Sequence, residues 1–222
     1  MELIMGCLLL LCFYCLSREA AAVSARMSQK KVIVVDCGHG GIDPGMIGID
    51  GLKEKEFNLA IGMKLKKALE DYGYQVVMTR ETDTGLYDED SQNKKAQDMQ
   101  KRILLIQKVD PVLTVSIHQN SYEDPAVKGP QVFYYRDSSK GKALAEILQD
   151  RFDYVLGDQN RRLPKANGNY YLLLHVKCPI VIVECGFLSN RKEAGLLNSG
   201  EYQDKLAYTI HMGVAEYLNG RK

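Results

Sequence analysis

The chain has almost no net charge, 29 Lys and Arg against 28 Asp and Glu, and no Lys/Arg block in its body longer than a pair or so. That leaves no field with which to draw in nucleic acid or an anionic surface, so partners must be argued from a site. There is no internal repeat, low-complexity tract or long Gly/Ser/Pro linker, which argues against appended repeat modules. Of six cysteines, Cys7, Cys12 and Cys15 precede the body, leaving Cys37, Cys178 and Cys185, an odd number that supplies no disulfide framework. The longest apolar run, Leu3 to Leu16, is short for a bilayer span but suits the hydrophobic region of an export signal. Ala20 to Ala22 and Val23 to Ala25 offer small-residue cleavage sites, although Glu2 precedes the run and the first cation, Arg18, follows it, the reverse of an ordinary signal. Residues 1–28 are therefore expected to be a signal peptide or an N-terminal membrane anchor, and residues 31–220 a single domain exported beyond the cytoplasmic membrane.

What is present is a regular alternation of strand and helix patterns. Val32 to Val35 is a β-branched run that stops at Asp36-Cys37-Gly38-His39-Gly40-Gly41, the pattern of a buried strand delivering a histidine onto a glycine-walled turn. Phe57, Ile61, Leu65 and Ala68 mark a helix over Glu54 to Tyr72, with Gly73 as its stop. Further strands are expected at Gln75 to Thr79, Leu113 to Ile117, Gln131 to Tyr135 and Ile180 to Val183, and helices over Gln92 to Lys108, around Leu144 to Val155 and over Tyr202 to Leu218. Asn190 and Glu193 have capping-box spacing for a short helix. Tyr170 to Val176 fits no element. The alternation predicts an α/β fold, a three-layer α/β/α sandwich on a mostly parallel, mixed sheet of about six strands.

In such a sheet, ligands bind beyond the carboxyl ends of the strands. The buried strands lead to His39, His118 and Glu184, and Glu54 opens the first helix within a turn of the buried Phe57, so these residues can converge. Two imidazoles and a carboxylate form a catalytic zinc shell with a position left open, which points to His39, Glu54 and His118 as ligands of one Zn2+ and to Glu184 as a separate proton acceptor. Blander roles compete: a hydrogen-bonded core histidine, or a Glu54 favoured by the helix dipole. His175 and His211 have no partner pattern and are discounted. Asp36 and Asn120 read as orienters of the histidines or as turn residues.

Five stretches in order, D-C-G-H-G-G-I-D-P-G (Asp36 to Gly45), G-L-K-E-K-E-F-N-L (Gly51 to Leu59), T-R (Thr79, Arg80), S-I-H-Q-N (Ser116 to Asn120) and P-I-V-I-V-E-C-G-F-L-S-N (Pro179 to Asn190), resemble the motif set of the zinc-dependent N-acetylmuramoyl-L-alanine amidases of the Amidase_3 family. The resemblance spans the body from Lys31 and is narrower toward the CwlD-type, germination-specific amidases of spore formers. It implies zinc held by His39, Glu54 and His118, catalysis by Glu184, and cleavage of the amide between N-acetylmuramic acid and L-alanine in spore-cortex peptidoglycan, a first step toward muramic lactam. A zinc peptidase or deacetylase on another wall bond, or a weak wall- or partner-binding module, uses the same fold. With no binding repeat and no strong charge, an envelope-anchored protein partner is expected.

Cys37, Gln119 and Cys185 depart from the family pattern. An extended chain would turn Cys37 to the side of His39, within reach of a metal, and Cys185 away from Glu184, although a small buried hydrophobe is the commoner role. Arg80, Arg102 and the loop Arg161 to Lys165 could hold substrate carboxylates or merely cap carbonyls. Asn120 to Gln131 is too short for the regulatory helix of some relatives, which predicts an open site.

Overall fold

The computed structural model describes residues 12–14, 17–18, 31–157 and 162–220. Residues 1–31 separate as one unit and residues 32–222 as another. In the first, residues 12–14 and 17–18 are helical and the Ser17 hydroxyl donates to the Tyr14 carbonyl. The expected signal or anchor over 1–28 otherwise lies outside the described residues. No helix among the described residues is long and apolar enough to cross a membrane.

The second unit is built on six strands, β1 (Val32–Cys37), β2 (Gln75–Met78), β3 (Leu113–Asn120), β4 (Gln131–Tyr135), β5 (Lys165–Asn167) and β6 (Ile180–Phe187). Their order is β2-β1-β3-β6-β4-β5, parallel throughout except where β4 runs antiparallel to β6. The helices are α1 (Glu54–Asp71), α2 (Lys94–Val109), α3 (Ser139–Leu156), α4 (Tyr171–His175), α5 (Arg191–Leu197) and α6 (Gly200–Asn219). The expected three-layer sandwich is the observed one.

Two-residue periodicity sorts the central strands between two cores. Ile33, Val35 and Cys37 of β1, Leu113, Val115 and Ile117 of β3, and Val181, Val183 and Cys185 of β6 pack in one cluster with the apolar stripes of α1, α3 and α6. Val34, Ile180 and Ile182 pack on the other side with Ile103 and Ile106 of α2 and with Leu172 and Leu173 of α4. Both faces are covered, so the central strands read as nearly unbroken apolar runs. By the same alternation Asp36, His118 and Glu184 belong to the α2 side.

Cys37 therefore does not accompany His39. The chain leaves the extended conformation at His39 (φ 62°), and Cys37 is fully buried under α1, its thiol pushed up to about 12 chiefly by burial. Cys185 is buried in the same core. Both are small core residues. A Cβ on Gly62 of α1 would stand 2.3 Å from the Cys37 sulfur, so this glycine is what lets helix and strand close. Gly62→Ala should cost about 1–3 kcal/mol by overpacking, partly offset by better helix propensity. In a denaturant titration, adding Cys37→Ala to that variant should recover most of the loss; equal losses with and without Cys37 would exclude the contact.

Three local differences from the sequence pattern stand out. β3 and β6 run on through His118 and Glu184 instead of stopping at them. The segment Tyr170 to Val176 contains α4, and the loop before it contains the edge strand β5. Asn190 caps α5 through Lys192 and Glu193 N–H groups, but the Glu193 carboxylate does not reach back to Asn190. It accepts instead from the N–H groups of Gly129 and Phe187, tying the loop before β4 to the end of β6.

Candidate metal centre

Beyond Cys37 the chain keeps one more sheet bond, Gly38 N–H to the Ile117 carbonyl, and then turns. A Cβ on Gly38 would lie 2.2 Å from the His118 ring, so the imidazole from β3 rests directly on this glycine. His39 adopts a left-handed conformation, which histidine tolerates better than bulkier residues, and reciprocal backbone bonds between Gly40 and Asp43 close the turn. His39 Nδ1 is 2.8 Å from Asp43 Oδ2, which leaves Nε2 directed at Glu54 Oε2, 3.2 Å away.

Glu54 stands in the first turn of α1 and is buried between the two histidines. Its Oε1 is 2.8 Å from His118 Nδ1 and accepts from Gln119 N–H and the Asn58 amide; its Oε2 accepts from Met46 N–H. Asn58, one turn along α1, is held in turn by the Gln119 side chain, which donates to its Oδ1. His39, Glu54 and His118 each offer a donor atom within 4.8 Å of the others, the only such His/Cys/Asp/Glu group of three or more among the described residues.

The electrostatics of this cluster call for positive charge. Burial pushes the Glu54 carboxyl up, but hydrogen bonds and charge from His118 and His39 outweigh it and hold the group far below the carboxylate range. Burial likewise depresses His118, yet the Glu54 carboxylate beside it raises the imidazole to about 9. A proton on that ring and a metal ion are alternative answers to the same demand. Glu184 stands directly opposite His118 in the β3/β6 register. Burial, with Glu54 adding to it and the two histidines opposing, lifts its carboxyl to about 7. Its Oε2 is buried and finds no hydrogen-bond partner among the described residues. Three convergent donors and a fourth, partnerless oxygen fit a divalent cation with one open position.

A cleft of about 600 Å³ opens over these groups, bordered by Met46, Lys95, Met99, Asn120, Tyr170 and Tyr171. Residues 121–130 carry no helix, in keeping with the expected open site. Arg80 and Arg102 spend their donors on the protein itself. Arg80 donates to the carbonyls of Cys37, Gly38, Lys55 and Thr82, and Arg102 to those of Cys37 and His39 and to the carboxylates of Asp36 and Asp98. Residues 158–161 lie outside the described residues, so Arg161 is not placed; Arg162 stacks over the Phe187 ring and Lys165 over that of Phe133.

The four site residues expected from the sequence thus come together, while the orienters differ. Asp36 bonds Arg102, Ser116 and Thr79, not a histidine, because it points from β1 to α2. Asn120 accepts from the adjacent Ser121 N–H. Asp43, Asn58 and Gln119 do the orienting, and of these only Asn58, four residues after Glu54 on one helix face, had a positional signal. His175 is exposed and bonds the Tyr171 carbonyl; His211 is buried against Tyr72.

A sandwich of this topology, with His39, Glu54, His118 and Glu184 gathered on one cleft, matches one family along almost the whole second unit. The chain belongs to the Amidase_3 family, the N-acetylmuramoyl-L-alanine amidases, which it matches over residues 33–216. It is 36% identical over 191 residues to the germination-specific N-acetylmuramoyl-L-alanine amidase of Bacillus subtilis, an overlap covering 85% of this chain and 80% of that protein. Its fold is similar to the CwlD amidase of Clostridioides difficile, solved in complex with the GerS lipoprotein (TM-score 0.83, 38% identity, 86% of this chain and 99% of that one). It is also similar to the catalytic domain of CwlV, an N-acetylmuramoyl-L-alanine amidase of Bacillus (Paenibacillus) polymyxa var. colistinus (TM-score 0.74, 32% identity, 85% and 98%). These likenesses support the CwlD type within the family.

Proposed function

We propose that this amidase holds one Zn2+ through His39, Glu54 and His118, uses Glu184 to move the proton, and strips stem peptides from spore-cortex peptidoglycan outside the cytoplasmic membrane. The observation that carries the reading is the convergence of three ligand-type atoms within 4.8 Å, beside a buried Glu184 oxygen with no partner among the described residues. Zinc bound there supplies Lewis acidity for the amide carbonyl and for the attacking water. Asp43 fixes the His39 ring, and the Asn58 amide and Gln119 N–H fix Glu54, so both donors are held by neighbours of their own. Glu184 accepts a proton from the attacking water as that water's oxygen bonds to the lactyl carbonyl carbon. It passes that proton to the alanine nitrogen as the C–N bond breaks, leaving a lactyl carboxylate and a free L-alanine amino terminus. The germination-specific relative supports the cortex as substrate, and the relative solved with a lipoprotein supports an envelope-anchored partner.

The test is digestion of purified cortex peptidoglycan by the zinc-loaded full chain. New L-alanine amino termini should appear, a chelator should abolish them and zinc should restore them. Release of acetate or D-alanine instead would assign the cleft to a deacetylase or carboxypeptidase.

A further inference from the structure

The described lining of the cleft has one exposed cation besides the histidines, and it is not among the proposed zinc ligands. Lys95 lines it, its side chain is 65% exposed, and its Nζ lies 2.8 Å from Asp43 Oδ1. The other cationic side chain in the lining apart from the histidines, Arg102, is 1% exposed and its donors go to Asp36, Asp98 and two carbonyls. Arg80 is buried and likewise spends its donors on carbonyls. Among the described residues lining the cleft, Lys95 is therefore the cation that an entering carboxylate can reach. Its ammonium has three donors, and Asp43 takes one. Nor does its position favour folding: it stands in the first turn of α2, where the helix dipole favours acids and no acid is present.

Position supplies the second half of the argument. A single carboxylate, Asp43, separates Lys95 from His39, whose Nε2 in turn faces Glu54. In a stem peptide the residue after L-alanine is a glutamate linked through its side chain, so its main-chain carboxyl carbon lies one residue and two bonds beyond the scissile nitrogen. That is about 5–7 Å in an extended chain, and Lys95 lines the same cleft as the cluster, beyond Asp43.

We propose that Lys95 is a specificity residue that receives the free carboxylate of the second stem residue, so that the enzyme prefers stems in which this group is an acid over stems in which it is amidated. The inference rests on the amidase reading of the cleft. Its test compares two synthetic muramoyl peptides, identical except for an acid or an amide at that carboxyl, with the zinc-loaded full chain and its Lys95→Ala and Lys95→Arg variants. The wild type should show a KM about three- to tenfold lower for the acid, a preference that shrinks with salt. Lys95→Ala should lose that preference through KM for the acid while still carrying about one zinc per chain, and Lys95→Arg should restore it. Cleavage of both peptides by the wild type with equal KM would overturn the proposal alone. So would a Lys95→Ala variant whose kcat falls alike on both, since Lys95 would then be a prop for Asp43 and His39. Failure of the wild type to cut either peptide would remove the amidase reading and this proposal with it.

Discussion

Glu184→Ala should retain about one zinc per chain and lose amidase turnover by a factor of about 100 to 10,000, the usual share of a positioned proton-transfer group. The carboxylate is 7% exposed, faces the cleft from β6 and has one oxygen with no partner among the described residues. An acid kept in that state gives the fold little, because burial outweighs the charge of the two histidines and no hydrogen bond among the described residues answers it. Removing it should leave thermal stability equal or higher. His39→Ala and His118→Ala should behave differently, losing zinc and activity together, since each deletes a proposed ligand. Metal content, initial rate on cortex peptidoglycan and melting temperature, measured side by side, separate the two roles. Normal turnover by Glu184→Ala would sink the assignment, as would loss of its zinc.

How much of this could be read from the chain follows from which physical signals are local. The apolar runs of β1, β3 and β6 and the stripes of α1 and α2 carry their own periodicity, and each run leads to a residue of the centre. Hence the sandwich and the convergence of His39, Glu54, His118 and Glu184 were legible. Three things were not. β5 and α4 are three and five residues long and owe their form to packing on β4 and on the α2-side core, which no short window encodes. The side taken by Cys37 depended on where the extended chain ends, and His39 breaks the alternation by entering the left-handed region. The partner of Asp36 lies 66 residues away on α2, and that of His39 lies across a glycine turn whose path only the three-dimensional structure gives.

That distant partner makes the other large effect a matter of stability. Arg102 is buried, and its guanidinium joins Asp36, Asp98 and the carbonyls of Cys37 and His39, so it pins β1 and the turn after it to α2. Arg102→Met keeps much of the volume but leaves Asp36, 1% exposed, without its counter-charge, and should cost about 3–5 kcal/mol. The pH dependence carries the signature. In the wild type burial pushes the Asp36 carboxyl up, but Arg102 and the Ser116 hydroxyl outweigh it and hold it at about 2. A carboxyl depressed on folding stabilises above its unfolded value near 4, and that contribution, about 2 kcal/mol, disappears as pH falls from about 4 to 2. In Arg102→Met the same burial acts unopposed by the guanidinium, so the folded carboxyl rises and acid relieves the variant. The gap between the two proteins in urea midpoint should therefore be widest at neutral pH and narrow as pH drops through 4. Adding Asp36→Asn to Arg102→Met should recover part of the loss at pH 7, because the residual penalty is a buried charge and not a missing contact. A gap that stays constant down to pH 3, or a double variant no more stable than the single, would mean that Arg102 acts through the His39 and Cys37 carbonyls alone. In either case zinc affinity should fall with the Arg102 variant, since the carbonyl it releases belongs to the residue that presents the first imidazole.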